Sequence, residues 1–257
     1  MPSRVAVVIP AHNAAATLLR AVDSVAASAE HAARTGLDLR TEIVVVDDGS
    51  TDATAEKLAA CAARFSVPGP IHFKAIHQIN RGAGPARNEG VRQSSAPLIC
   101  FLDADDEYLP AHLAVCVGAL EADRSVGYVW TRRRLDIDIH PSWGPSLDRS
   151  TVMNLCVRRI WHEIVKGFPE HPDFARYGAE DSFYRTVLEA LVNGRGLDAE
   201  TLLIHFQPGN SLDRQRAKLS RPISEWPGDE SAPPTIVALC EERLAYVERL
   251  KAERRSG

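Results

Sequence analysis

Four groups of polar residues in this chain are spaced for chemistry. The densest is Phe101-Leu102-Asp103-Ala104-Asp105-Asp106, where an apolar run stops abruptly at a set of carboxylates. Carboxylates this close repel one another and call for a cation or open water. Hard ions such as Mn2+ or Mg2+ take oxygen ligands, commonly one or two protein carboxylates beside phosphate oxygens. An ion held here would neutralise a departing diphosphate. The alternative is a solvated acidic turn ahead of the next helix.

The second group is Asp47-Asp48, followed by Gly49-Ser50-Thr51-Asp52. One of the two leading carboxylates could accept a hydrogen bond from uracil N3–H or a ribose hydroxyl. Ser50, Thr51 and Asp52 would cap the next helix in either case. The third group, Gly82-Ala83-Gly84-Pro85-Ala86-Arg87-Asn88, is a near miss for the dinucleotide fingerprint. Arg87 stands where the third glycine belongs, and the segment follows the third strand-like run rather than the first. A basic residue at a helix start can instead contact a phosphate, helped by free backbone N–H groups, or sit in an ion pair. The fourth group is Glu180-Asp181. These carboxylates either favour a helix N-terminus or supply a general base that takes the proton of an attacking hydroxyl.

The elements that must position these groups alternate in the first half. Arg4 to Pro10, Glu42 to Val46 and Pro97 to Leu102 read as strands whose apolar runs suit burial on both faces, and Ile71 to Gln78 as a weaker third strand between the last two. Helical spacing lies between them, at Leu18, Val22, Val25 and Ala29, then at Leu58, Cys61 and Phe65, then from Gly82 onward with Pro85 in the first turn. This β-α-β order predicts a parallel sheet. In such sheets ligands bind at the carboxyl ends of the strands, where the first three polar groups fall.

The second half is less regular. A helix is expected around Leu113 to Leu120, a long strand over Val126 to Asp138, and a loop over Pro141 to Asp148. A strand at Val152 to Val157, helices at Ile160 to Val165 and Glu180 to Val192, and a late strand at Leu202 to Gln207 follow. Residues 221–234 hold four prolines and read as a linker. A final amphipathic helix over 235–257 carries Ile236, Cys240, Leu244, Val247 and Leu250 on one face. It is expected to pack on its own chain or on a second subunit.

Composition sets the limits. The chain has 257 residues, 45% hydrophobic and 25% charged, as in a folded globular protein. Its net charge of −4 gives no general pull toward nucleic acid or acidic membranes. The five cysteines are scattered without a C-x-x-C pair, which argues for buried thiols rather than disulfides or zinc. No signal peptide and no apolar window of about 18 residues is read, so the expected location is cytoplasmic, with no transmembrane segment.

Taken together, the motifs resemble family 2 of the glycosyltransferases over Val5 to about Arg216. The resemblance rests on Val7-Val8-Ile9-Pro10-Ala11-His12-Asn13, Val45-Val46-Asp47-Asp48-Gly49-Ser50-Thr51-Asp52, Asn80-Arg81-Gly82 with Ala86-Arg87-Asn88-Glu89-Gly90, Leu102-Asp103-Ala104-Asp105-Asp106, and Glu180-Asp181. It implies the α/β GT-A fold: a Rossmann-like nucleotide-binding half at about 1–108, fused to a smaller half at about 109–220 that carries the acceptor site and base. It implies inverting, metal-dependent transfer from a nucleoside-diphosphate sugar, with UDP the expected nucleotide, and Mn2+ or Mg2+ as cofactor. The acceptor would be a glycan, a lipid-linked sugar, a peptide or a small molecule. Pro10, His12 and Asp47 or Asp48 would line the nucleoside pocket. Arg87 would lie near the donor phosphates or sugar, Asp103 would contact the ribose or donor sugar, and Asp105 would hold the metal. Asp181 would be the base, with Glu180 beside it. Family members often add a late histidine to the metal; His205 is the nearest candidate, although its surroundings match weakly and an ordinary strand histidine is the favoured reading. His12 stands where an aromatic ring is frequent. Two other readings compete. A sugar nucleotidyltransferase would open with a glycine- and arginine-rich loop, which Pro10 to Ala16 lacks. A non-catalytic nucleotide-sugar-binding relative would be expected to lose Asp103, Asp105 or Asp181.

Overall fold

A computed structural model describes residues 3–226 and 232–256. The elements run β1 (Ser3–Ala11), α1 (Leu18–Arg34), β2 (Leu39–Asp48), α2 (Thr54–Arg64), β3 (Ile71–Gln78), α3 (Ala83–Arg92), β4 (Leu98–Phe101) and β5 (Glu107–Tyr108). Then come α4 (His112–Ala122), β6 (Tyr128–Leu135), α5 (Gly144–Ser150), β7 (Leu155–Arg158), α6 (Arg159–Ile164), α7 (Pro172–Tyr177), α8 (Glu180–Leu191), β8 (Gly194–Ile204), α9 (Ser211–Leu219) and α10 (Pro234–Ser256).

One eight-stranded sheet orders them β3-β2-β1-β4-β7-β6-β8-β5. Strands β3, β2, β1 and β4 are parallel, while β7 is antiparallel to both β4 and β6. Val5 to Ile9 and Ile43 to Val46 are buried on both faces, as their unbroken apolar runs require. Ala11 is in register with Asp47, and Val8 with both Val44 and Phe101. The carboxyl ends of β1, β2 and β4 therefore meet along one edge, and the loops leaving them carry the polar groups. The α3 helix lies against this edge because Gly90 has no side chain: a Cβ there would stand 2.3 Å from Val8 Cγ1.

Several elements differ from the sequence reading. The loop expected at Pro141 to Asp148 is instead a 3-10 turn at Pro141–Trp143 followed by α5. The late strand begins at Gly194 rather than Leu202. Its first residues carry two glycines that read as loop, yet a Cβ on Gly194 would strike the Tyr128 ring and one on Gly196 would crowd Trp130. The glycines let β6 aromatics lie flat across β8, a recognised use of strand glycine. The short elements β5, α7 and α9 had no periodic signal. The β6 strand is shorter than expected and has register shifts between Trp130 and Arg133.

All five cysteines are free, and four are buried. The α10 helix packs on α8 and α7 of its own chain, burying Ile236 and Val247. Of the linker expected at 221–234, residues 227–231 lie outside the described residues; Ile223–Glu225 forms a 3-10 turn, and Trp143 Nε1 donates to the Arg221 carbonyl. No described helix is long and apolar enough to cross a membrane.

Candidate active site

A cleft of about 440 Å3 opens at the carboxyl edge of the sheet. It is lined by Pro10 and His12 from the end of β1, Asp48 from β2, Arg87 from α3, Asp103 and Asp105 from beyond β4, and Glu180 from α8. Five segments far apart in sequence thus face one space.

Loops β1–α1 and β2–α2 are stitched together by short polar side chains. Asn13 adopts a left-handed φ of 52°, a conformation asparagine tolerates well. Its N–H donates to Ser50 Oγ, and its Oδ1 accepts from the Thr51 N–H at 2.9 Å. Asp52 accepts from the N–H groups of Ala15 and Thr54. Of Ser50, Thr51 and Asp52, only Asp52 bonds the first N–H of α2, that of Thr54; the N-cap position is Ala53, which makes no side-chain cap.

The adjacent Asp47 and Asp48 point different ways, as neighbours on a strand must. Asp47 does not line the cleft. It accepts from the Ser50 N–H at 2.9 Å and lies 3.1 Å from His77 Nδ1. Burial works to raise its pKa, but Ser50 and His77 outweigh it and hold the carboxyl below its ordinary value. Asp48 faces the cleft, yet its oxygens are already engaged: they accept from Gln78 Nε2 and from the N–H groups of Arg81 and Gly82. This carboxylate fastens the loop between β3 and α3. The Asp48 carbonyl accepts from His12 Nδ1 at 2.9 Å, which orients the imidazole on the cleft wall.

Arg87 sits at the centre of the acidic groups. Its side chain is 2% exposed, Nη2 donates to Asp103 Oδ1 at 2.6 Å, Nη1 donates to Asp181 Oδ1 at 2.8 Å, and Glu180 lies 3.7 Å away. Burial disfavours its charge, but Asp181, Asp103 and Glu180 together hold it firmly protonated. Arg87 therefore reaches the cleft edge as a brace between the two halves of the site. The ion-pair alternative raised by the sequence describes its geometry, rather than a guanidinium free to meet phosphate.

Asp103, Asp105 and Asp106 bring ligand oxygens within 4.8 Å of one another. Burial raises Asp105, and repulsion from Asp103 adds to it. Asp106 is raised well above its ordinary value by burial and by both neighbours. Arg87 pairs with Asp103, while Arg20 and Arg133 only partly offset Asp105 and Asp106, which stay raised. Asp105 receives one long hydrogen bond at 3.5 Å from Asn210 Nδ2, and Asp106 one from the His205 N–H. Crowded oxygen donors with this deficit of positive charge fit a hard divalent cation. His205 is placed otherwise than expected. Its Nε2 lies 2.6 Å from Glu107 Oε1 and its Nδ1 3.0 Å from Asp136 Oδ2, so both ring nitrogens are taken by carboxylates outside the triad.

Asp181 sits in the first turn of α8 with its side chain 20% exposed. Burial drives its pKa upward, Glu180 and Asp103 add to this, and Arg87 together with the Val152 N–H opposes; the net result is a carboxyl pushed up to about 7. That places a proton acceptor at the working range of a general base. Glu180 Oε2 is buried without a hydrogen-bond partner. Sequence reasoning gave no role to Asn88, which holds the Phe168 backbone, and missed Phe168, whose ring lies under Arg87, and Gln207, which lines the cleft.

The succinoglycan biosynthesis protein ExoU of Rhizobium meliloti is 40% identical over 113 residues, covering 44% of this chain and 29% of that protein. The uncharacterized glycosyltransferase YibD of Escherichia coli is 30% identical over 125 residues, 48% of this chain and 33% of its own length. The chain thus matches about a third of the length of these relatives. Among solved structures, Staphylococcus aureus TarS 1–349 in complex with UDP-GlcNAc superposes with a TM-score of 0.64 at 17% identity, over 80% of this chain and 60% of that one. The mannosyltransferase PcManGT of Pyrobaculum calidifontis, in complex with GDP-Man and Mn2+, gives 0.64 at 20% identity over 100% of this chain and 76% of its own. These likenesses establish the GT-A fold. The model of the family described as glycosyl transferase family 2 matches residues 6–188, which carry every wall of the cleft except Gln207, and the chain belongs to that family.

Proposed function

We propose that this glycosyltransferase is inverting and metal-dependent, and that it takes its sugar from a nucleoside diphosphate, with UDP the first choice of nucleotide. The observation that carries this reading is the bridge from Asp103 on the cleft wall through Arg87 to Asp181, which ties the acidic cluster to a raised carboxyl next to the cleft-lining Glu180. Neighbours in fold support the donor class, since TarS is seen with UDP-GlcNAc and PcManGT with GDP-Man.

Residues of the β1 and β2 loops, chiefly Pro10 and His12, form the nucleoside wall. Asp103, Asp105 and Asp106 would hold Mn2+ or Mg2+, which when bound supplies positive charge to the departing diphosphate. Asp181 takes the proton of the acceptor hydroxyl as its oxygen attacks the anomeric carbon. Attack from the face opposite the leaving group inverts that carbon. Glu180, which lines the cleft, raises the basicity of Asp181 by its negative charge. The naming of ExoU for succinoglycan biosynthesis favours a saccharide acceptor.

The test is release of nucleoside diphosphate from UDP-glucose, UDP-galactose, UDP-GlcNAc and GDP-mannose with Mn2+ or Mg2+, beside Asp105→Ala and Asp181→Asn. Metal-dependent release from one donor, lost in Asp105→Ala, is expected, with the product anomer then read by NMR. Absence of both turnover and metal-dependent binding for every donor would overturn the reading, as would a retained anomeric configuration.

A further inference from the structure

The last helix reaches the back of the active site through one arginine. Arg243 of α10 donates from Nη1 to the carbonyl of Val165, with a second contact at 3.4 Å to the carbonyl of Gly167. Its guanidinium also stands 5.5 Å from the centre of the Phe183 ring, two residues beyond Asp181 in α8. The carbonyls belong to a sharp turn that ends α6. Lys166 and Gly167 are both left-handed, with φ of 62° and 61°, and a non-glycine residue seldom holds that conformation without outside support. Tyr246, one turn further along α10, faces the Lys166 ammonium at 4.2 Å.

The turn delivers Phe168 to the site. Asn88 grips its backbone on both sides, donating to the Phe168 carbonyl at 3.0 Å and accepting from its N–H at 2.9 Å. The Phe168 ring lies 5.2 Å beneath the Arg87 guanidinium and stacks at 4.2 Å on Tyr184 of α8. Room for this approach is narrow: a Cβ on Gly167 would stand 2.4 Å from Asn88 Oδ1, and one on Gly84 would stand 2.9 Å from the Pro169 carbonyl.

We propose that Arg243 is a positioning residue for sugar transfer, pinning the 165–169 turn so that Phe168 seats Arg87 squarely between Asp103 and Asp181. This inference rests on the reading of Asp181 as base. Through Arg243 the C-terminal helix becomes part of the catalytic support, although it touches neither cleft nor substrate.

The experiment compares the full chain with Arg243→Met, Arg243→Gln and Arg243→Lys. It measures kcat and KM for diphosphate release from UDP-glucose, UDP-galactose, UDP-GlcNAc and GDP-mannose with Mn2+, and backbone amide hydrogen exchange. For Arg243→Met, faster exchange is expected at 165–169, spreading to α3 and the first turn of α8. With it, kcat should fall about tenfold while KM stays within about twofold, since misplacement of a catalytic group is felt in the transition state. Arg243→Lys and Arg243→Gln, which keep a donor for the carbonyls, should recover part of kcat. Unchanged kcat in Arg243→Met, or exchange confined to α10, would overturn the proposal. Should the native chain release no diphosphate, the functional reading fails separately, and exchange decides the latch: spread into α3 and α8 supports it, and no spread removes it.

Discussion

Arg87 Nη1 lies 2.8 Å from Asp181 Oδ1, so the proposed base meets its substrate already paired to a cation that also holds Asp103. Arg87→Met would leave both carboxylates without their partner. Because Asp103 and Asp181 are 31% and 20% exposed, water takes up part of the loss. The expected cost is about 1–3 kcal/mol, below the range for a fully buried pair. Diphosphate release should drop by about a hundredfold or more. Arg87→Lys should rescue stability better than rate, since one ammonium cannot span two carboxylates as a planar fork does. Urea unfolding and steady-state rates check this, and a kcat within twofold of the native chain would refute it.

The raised Asp181 sets a pH dependence. A general base acts when ionised. With its carboxyl near 7, the rate should fall about tenfold per pH unit on the acid side and level off above. Cations near Asp103 remove one source of repulsion, so saturating metal should move the midpoint downward. Asp181→Asn should lower kcat by about 10²–10⁴ while donor binding by calorimetry survives. A profile that stays flat from about pH 5.5 to 8 would exclude this group from the role.

Metal should also stabilise the fold. At about a hundredfold excess over its dissociation constant, a cation adds roughly 2.7 kcal/mol, or several degrees in Tm for a chain of this size. Asp105 and Asp106 hold their protons tightly, so protons compete with the ion and the gain should shrink as pH falls. Thermal scans with and without Mn2+ at two pH values test this. The same shift in Asp105→Ala would place the ion elsewhere.

Two substitutions separate support from chemistry. Asp48→Ala strips the partner from the N–H groups of Arg81 and Gly82 and from the Gln78 amide. About 1–3 kcal/mol should be lost for groups left unsatisfied, with a higher donor KM as the loop loosens. Gly90→Ala forces a methyl against Val8. It should cost about 1–3 kcal/mol by overpacking with kcat nearly unchanged. Paired unfolding and kinetic measurements distinguish the two, and a reversed pattern would show the roles are misassigned.

What was legible in the sequence follows from burial. Strands β1, β2 and β4 are covered on both faces, so they appear as apolar runs that end where the polar loops begin, and the carboxylates Asp47, Asp48, Asp103 and Asp105 could be found there. The second half hides its pattern. Gly194 and Gly196 look like loop residues until Tyr128 and Trp130 are laid over them. Within the site, residue types were readable but long-range partners were not. Arg87 and Asp181 are 94 positions apart, and nothing local announces their bond. Asp47 and Asp48 looked interchangeable, and only the strand's alternation divides them into a turn fastener and a cleft wall. His205 resembled a free ligand because Glu107 and Asp136, which occupy its nitrogens, lie 98 and 69 positions away.

The continuity of the sheet has a mechanical consequence. Strands β4 and β7 are hydrogen-bonded neighbours, with Leu98 opposite Arg158 and Cys100 opposite Cys156, so the first and second halves of the chain share one backbone lattice. They cannot swing open like jaws without tearing that ladder. Any opening for substrate is left to the loops along the sheet's edge, including the one that carries Asp103, Asp105 and Asp106.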